Sequence, residues 1–197
     1  MLRVNQTTAN MKRLFIGVPI QSDKILETTK TWRKDEKLYH NVLKWVNPEN
    51  WHITLIFLGE TPGSAVALIQ QLIEESFCSI QAFSTEMSGI GVFPNTHNPK
   101  VLWLGLESLQ PLMPAYARLG ELLQSNGFSL DNKPLKPHLT LARVKNTGHR
   151  VSFESLLKHY HQSAFSTVLI QQIVLYESIL SSGGPIYKPL YVWELKA

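Results

Sequence analysis

Cysteine is almost missing from this chain, with Cys78 the single one among 197 residues. One thiol excludes a disulfide framework and a metal site built on several thiolates, and it suits a reducing compartment, so the expected location is the cytoplasm. Long apolar runs are missing too. No uninterrupted stretch approaches the roughly 18 residues of a transmembrane helix, and residues 1–11 lack the apolar centre of a signal peptide. We therefore expect a loose leader over 1–11 and no membrane association. Acidic residues number 15 against 19 Lys and Arg, a net +4 that leans toward anionic partners such as phosphates or RNA without arguing for them alone. Neither a GxxxxGK[ST] loop nor a Lys-x-Asp-Gly nucleotidylation motif occurs, which speaks against an ATP-dependent ligase.

What is present is a globular composition, 44% hydrophobic and 17% charged, enough for one domain over 12–197. Within it one short word is written twice: His52-Ile53-Thr54-Leu55 and His138-Leu139-Thr140-Leu141. Side chains alternate faces along a strand, so each copy presents an imidazole and a hydroxyl on one side and two apolar residues on the other. A single copy would be explained by a strand histidine satisfied by a backbone partner. The matched pair points to chemistry.

Turn and cap residues divide the rest. Residues 13–18 form an apolar run closed by Pro19 and predict a first strand. Ser22 or Asp23 caps a helix through about Leu38. Asn47-Pro48-Glu49-Asn50 is turn chemistry before a strand over 51–58, closed by Gly59. A helix over 62–77, strands at 82–90 and 100–106, and a helix over 111–126 ended by Gly127 follow. The glycines, prolines and asparagines of 89–99 predict a loop and a seam between two halves. Pro134 and Pro137 lead into the second motif strand, 138–144, and a helix over 152–161 and strands at 167–178 and 187–195 complete the chain. This order is neither regular βαβ alternation nor an all-β array, so it predicts an α+β fold with mostly antiparallel sheets. A motif strand followed by a helix and two strands occurs in each half. That echo predicts two pseudo-symmetric lobes with the motifs facing each other across a central cleft.

Two imidazoles with an ordinary pKa near 6.5 share one proton at neutral pH. At a phosphodiester the neutral ring takes a proton from attacking water while the charged ring protonates the leaving oxygen, each role worth about 10²–10⁴-fold. The threonine hydroxyls would donate to the non-bridging oxygens. The scheme calls for no metal and no cofactor. His40, His97, His149, His159 and His161 have no carboxylate at ligand spacing, so no metal site is expected.

The words around the motifs carry a resemblance: Arg13-Leu14-Phe15-Ile16, Glu49-Asn50-Trp51-His52-Ile53-Thr54-Leu55 with Phe57-Leu58-Gly59-Glu60, Val92-Phe93-Pro94, Val101-Leu102-Trp103-Leu104-Gly105, and Lys136-Pro137-His138-Leu139-Thr140-Leu141-Ala142-Arg143-Val144. The chain resembles the 2H phosphoesterases and, within them, the bacterial RNA 2′,3′-cyclic phosphodiesterases, also called 2′-5′ RNA ligases. The resemblance implies a bilobal LigT-like fold and opening of a 2′,3′-cyclic phosphate at an RNA end to a 2′-phosphomonoester, with reversible 2′-5′ ligation in some members. It implies His52 as proton donor to the departing 3′ oxygen, His138 as proton acceptor from water, and Thr54 and Thr140 as phosphate ligands. The pseudo-symmetry leaves the reverse assignment of the two histidines open.

Arg143 matches a family arginine, but a regular strand would turn it to the face opposite His138, so a phosphate role requires a bend or bulge. Phe15 and Tyr187 are base-stacking candidates, and Lys133, Lys136, Lys145 and Arg150 would steer RNA. Trp51 and Ile53 depart from the family's usual residues, and the loop 95–98 is less basic than in many relatives. The expected partners are RNA ends bearing a cyclic phosphate, tRNA fragments among them, met by a monomer. Two other readings stay open. One keeps the fold and acts on a small cyclic nucleotide, an ADP-ribose cyclic phosphate or 2′-5′ oligoadenylate. The other is a non-catalytic RNA-binding module, against which the four intact motif residues argue.

Overall fold

The computed structural model describes residues 10–34, 42–131, 133–145, 153–182 and 184–197. The first strand, β1 (Met11–Pro19), is buried from Leu14 to Val18 because it lies inside the sheet with a neighbour on each side. The Ser22 hydroxyl accepts from the Ile25 amide at 3.3 Å and so caps α1 (Asp23–Lys34), which turns Ile25, Thr29 and Trp32 inward. A short strand that no sequence signal predicts, β2 (Leu43–Trp45), leads through a turn at Pro48–Asn50 into β3 (His52–Pro62). Then come α2 (Val66–Phe77), β4 (Phe83–Phe93), β5 (Val101–Leu106), α3 (Met113–Ser125), β6 (His138–Val144), α4 (Glu154–Tyr160), β7 (Ala164–Ile170), β8 (Gln172–Ser181) and β9 (Gly184–Glu194).

The named strands pair antiparallel in the order β7-β4-β5-β6-β3-β1-β8-β9, with β2 on β6, so the α+β, antiparallel expectation holds. The two lobes are two four-stranded halves of one sheet rather than separate sheets. They meet at β3 and β6 through one registered pair, Ile53 with Leu139. Those are the residues between His and Thr in the two motifs.

The seam therefore runs between the motif strands, and residues 89–99 do not form it. β4 continues to Phe93 and pairs with β5 inside one half. Gly89, at φ 65°, sits where the β4–β5 register slips, and Gly59, at φ 68°, lies within β3 rather than ending it. Both act as bulge residues, a conformation open to glycine and easily read from sequence as a loop. The repeat also differs from the expected one. Placed symmetrically about the seam are β1-α1-β3 and β5-α3-β6, in which the helix precedes the motif strand.

The single strand expected over 167–178 is two, β7 and β8, separated by Gln171 and placed far apart in the strand order. One residue joins such positions only because the sheet twists and curls until its ends approach. Lys196 bridges to Gln81, and the Leu195 amide donates to the Gln171 carbonyl at 2.8 Å. Buried apolar residues of both halves, including Ile16, Ile53, Leu72, Leu104, Leu119 and Leu139, form one cluster. The leader falls mostly on residues 1–9, outside the described residues, while Met11 already pairs with Pro62. The expected extension of the first helix toward Leu38 also lies outside them. Among the described residues no helix is long and apolar enough to cross a membrane.

Candidate active site

Each motif strand begins in strict alternation and then slips by one residue at the same place. Along β3, Ile53, Leu55 and Ile56 are buried while His52 and Thr54 are half-buried, and along β6, Leu139, Leu141 and Ala142 are buried while His138 and Thr140 are half-buried. Thr54 pairs with Gly17 and Ile56 with Ile16, which leaves Leu55 without a partner on β1. Thr140 pairs with Trp103 and Ala142 with Leu102, which leaves Leu141 without a partner on β5. The extra residue is a β-bulge, and it returns the following side chain to the face of the histidine. Arg143 thereby reaches the motif face, the condition set by sequence for a phosphate role.

The bulge in β3 brings Phe57 to the matching position of the first half, and Phe57 is 47% exposed. The cation there comes from the neighbouring strand, where the Arg13 guanidinium stands 5.1 Å from the centre of the Phe57 ring. Arg13 and Arg143 thus occupy related places on the two sides of the seam.

The histidines are held alike. His52 Nδ1–H donates to the Asn50 carbonyl at 2.7 Å, and His138 Nδ1–H donates to the Lys136 carbonyl at 2.7 Å. A carbonyl only accepts, so each neutral ring keeps its proton on Nδ1 and leaves Nε2 free as an acceptor. Aromatic rings fix both in place: Phe15 and Tyr187 lie 4.8 and 4.9 Å from His52, and Phe93 lies 4.9 Å from His138. Trp103 backs His138 at 6.3 Å, over Gly91, where an added Cβ would overlap the indole. Burial lowers the His52 pKa below its ordinary value. The Asn50 carbonyl opposes that shift, while the charges of His138 and Arg143 add to it.

The antiparallel register at Ile53 and Leu139 sets His52 across from Thr140 and Thr54 across from His138. Beyond that pair β3 leaves β6, and β2 takes the vacated edge, with Lys44 beside Arg143 and Trp45 beside Ala142. The splay opens a cavity of about 440 Å³ lined by both histidines, both threonines, Arg13 and Arg143. Lys44, Trp45, Asn50 and Tyr187 also line it.

A LigT-like phosphoesterase family model matches residues 18–103 and 106–187, with both motifs inside the matched segments. The chain belongs to this family. It is similar to an RNA 2′,3′-cyclic phosphodiesterase of Archaeoglobus fulgidus, 36% identical over 182 residues that cover 92% of this chain and 99% of the relative. It is also similar to one of Aquifex aeolicus, 35% identical over 178 residues that cover 89% and 93%. Among solved structures, TT0787 of Thermus thermophilus superposes with a TM-score of 0.74 at 27% identity, covering 93% of this chain and 98% of that one. E. coli LigT complexed with 3′-AMP also gives a TM-score of 0.74, at 21% identity over 95% and 100% of the two chains, and shares the fold.

Within this LigT-like site the residues singled out by sequence have separate fates. His52, Thr54, His138, Thr140, Arg143, Phe15 and Tyr187 all line the cavity. Phe15, however, is 3% exposed and its ring packs on His52, Tyr176 and Tyr187, so it supports the first histidine rather than lying free for a base. Lys133 pairs with Asp131 at 2.8 Å, and Lys145 is exposed outside the cavity lining. His97, His159 and His161 are exposed, and His40, His149 and Arg150 lie outside the described residues. Among the described residues no three His, Cys, Asp or Glu side chains gather as metal ligands would.

Sequence reasoning passed over Arg13, Lys44 and Asn50. Arg13 precedes the first apolar run and reads as a flank, although it stands two residues before Phe15 and so on the same strand face. Lys44 carried no signal, because its place depends on β2 pairing with a strand some hundred residues away, and Asn50 read only as part of a turn before the first motif.

Proposed function

We propose that the protein hydrolyses 2′,3′-cyclic phosphates at RNA ends to 2′-phosphomonoesters, with His52 as proton donor and His138 as proton acceptor. The observation that carries this reading is the paired geometry: two imidazoles tied through Nδ1 to the carbonyl two residues back, presenting Nε2 to one cavity beside two hydroxyls. The names of the relatives from Archaeoglobus fulgidus and Aquifex aeolicus agree with it.

In the reaction the water oxygen bonds to phosphorus as the bond from phosphorus to O3′ breaks. His138 Nε2 takes the proton of that water, and His52 Nε2 gives a proton to O3′. Exchange with solvent then restores both rings. Thr54 and Thr140 donate to the non-bridging oxygens, and Arg143, Arg13 and Lys44 hold the charge that develops there. Tyr187, half-buried at the cavity wall, offers its ring to the terminal base. Burial favours a neutral His52 in the free protein. An arriving phosphodiester anion opposes that preference, so His52 gains its proton as substrate binds.

The substrates fitting this chemistry are cyclic-ended RNAs, tRNA fragments among them, met by a monomer in the cytoplasm; ligation to a 2′-5′ linkage is the same ring opening with a 5′-hydroxyl of a second RNA end in place of water. The test is product analysis on a labelled cyclic-ended oligonucleotide in EDTA. A 2′-phosphate product, lost in His52→Ala and His138→Ala, is expected. A 3′-phosphate product, or turnover unchanged in either variant, refutes the reading.

A further inference from the structure

A second cavity adjoins the first on the other side of the motif pair, and we propose that it receives the nucleotide immediately 5′ of the cyclic phosphate. The inference rests on the function proposed above. This groove of about 970 Å³ runs between α3 and residues 130–131 and 133–136, and it shares Thr54, Phe57, Phe93 and His138 with the first cavity. Thr54 and His138 therefore stand on the boundary between two spaces, while His52 and Thr140 line the first alone.

The first cavity, about 440 Å³, lies in the roughly 300–1,000 Å³ range of a small-molecule site and suits the terminal nucleoside. That ribose carries its cyclic phosphate on O2′ and O3′ and the rest of the RNA on O5′, so the 5′ chain needs a second space beside the first cavity, and the groove that shares Thr54, Phe57, Phe93 and His138 with it adjoins directly. Along the groove the walls carry apolar and aromatic side chains, Phe57, Phe93, Tyr116 and Leu135, with Glu121, Gln124 and the Asp131–Lys133 ion pair also on the lining. Rings of this kind stack on any base, because every base has a π face. Lys136, exposed at the rim, makes no ion pair among the described residues and is placed to meet the linking phosphate.

Gly120 supplies an independent sign. It lies within α3, where glycine is less favourable than alanine, and a Cβ built there meets nothing within 4 Å. Among the described residues no packing requires a glycine at this point. Its bare backbone leaves the groove floor open where the helix faces it.

The experiment compares kcat/KM for a 2′,3′-cyclic mononucleotide with that for a cyclic-ended dinucleotide, in the wild-type protein, Gly120→Leu and Tyr116→Ala. Gly120→Leu fills the groove while improving helix propensity, so its folding is not at risk from the helix. In the wild type the dinucleotide should be favoured by about tenfold or more, the worth of one stacked base. Both variants should bring the ratio toward unity. Equal rates on the two substrates in the wild type, or a preference that survives both variants, overturn the subsite while leaving the hydrolytic reading standing. Failure to hydrolyse either substrate overturns that reading and the subsite with it.

Discussion

On the proposed mechanism, replacing His52 or His138 by alanine removes one end of a proton relay and leaves the other end in its place. Each ring is held separately, by its own 2.7 Å bond to a carbonyl and by its own aromatic neighbours, so losing one does not release the other. Each single variant should lose about 10²–10⁴-fold in kcat, which at 1.36 kcal/mol per decade is about 2.7–5.4 kcal/mol of transition-state stabilisation. The two rings face one cavity and, on the proposed mechanism, act in one step, so the losses should not multiply. The double variant should fall no further than about 10⁴-fold, where independent contributions would reach about 10⁸-fold. Initial rates on a cyclic-ended oligonucleotide in EDTA give the numbers, with far-UV circular dichroism confirming that each variant is folded. A double loss equal to the product of the single losses refutes the shared step. A single variant with nearly wild-type turnover refutes the role of that histidine.

Three other outcomes concern pH and packing, and a fourth concerns salt. Because burial lowers His52 below its ordinary value of about 6.5 and a bound phosphodiester anion opposes that shift, the limb set by His52 should lie at lower pH in kcat/KM than in kcat, which reports the complex; coincident limbs contradict this. The same shift favours neutral His52 in the folded protein, so its stabilising contribution is complete above about pH 6.5, is lost as pH falls through the lower folded value, and should vanish from denaturation curves of His52→Gln. Gly91→Ala drives a methyl into the Trp103 indole behind His138, so stability should drop by about 1–3 kcal/mol with a loss in kcat, and an unaltered denaturation midpoint would show that the indole has room to move. Arg13→Gln, Lys44→Gln and Arg143→Gln should each raise KM for RNA and reduce the slope of log KM against log salt by about 0.7 for each phosphate left without its cation, and a slope unchanged in any one removes that residue from the phosphate path.

The alternation His-x-Thr with buried neighbours could be read directly, since it is a property of any extended backbone, and β6 occupies the span 138–144 that its flanking prolines suggest. The bulges at Leu55 and Leu141 were half visible. Leu55-Ile56 and Leu141-Ala142 each put two apolar residues together after a strict alternation, but sequence does not say whether such a doublet bends a strand or ends it. Arg143 shows the consequence: its identity was apparent, and its direction was not. Phe15 shows the reverse, because an aromatic residue beside a site reads equally as a stacking surface or as packing, and only its 3% exposure decides.

By itself, then, the sequence determined which groups could act and that each histidine shares a strand face with its threonine, because side-chain direction within a strand follows from local backbone geometry. Tertiary structure alone decided that the two strands meet at Ile53 and Leu139, that β2 enters where they part, and that Arg13 stands on the side where Phe57 takes the place that Arg143 has in the other half. Those outcomes depend on register and packing between residues far apart in the chain. No local pattern encodes the partner across a seam.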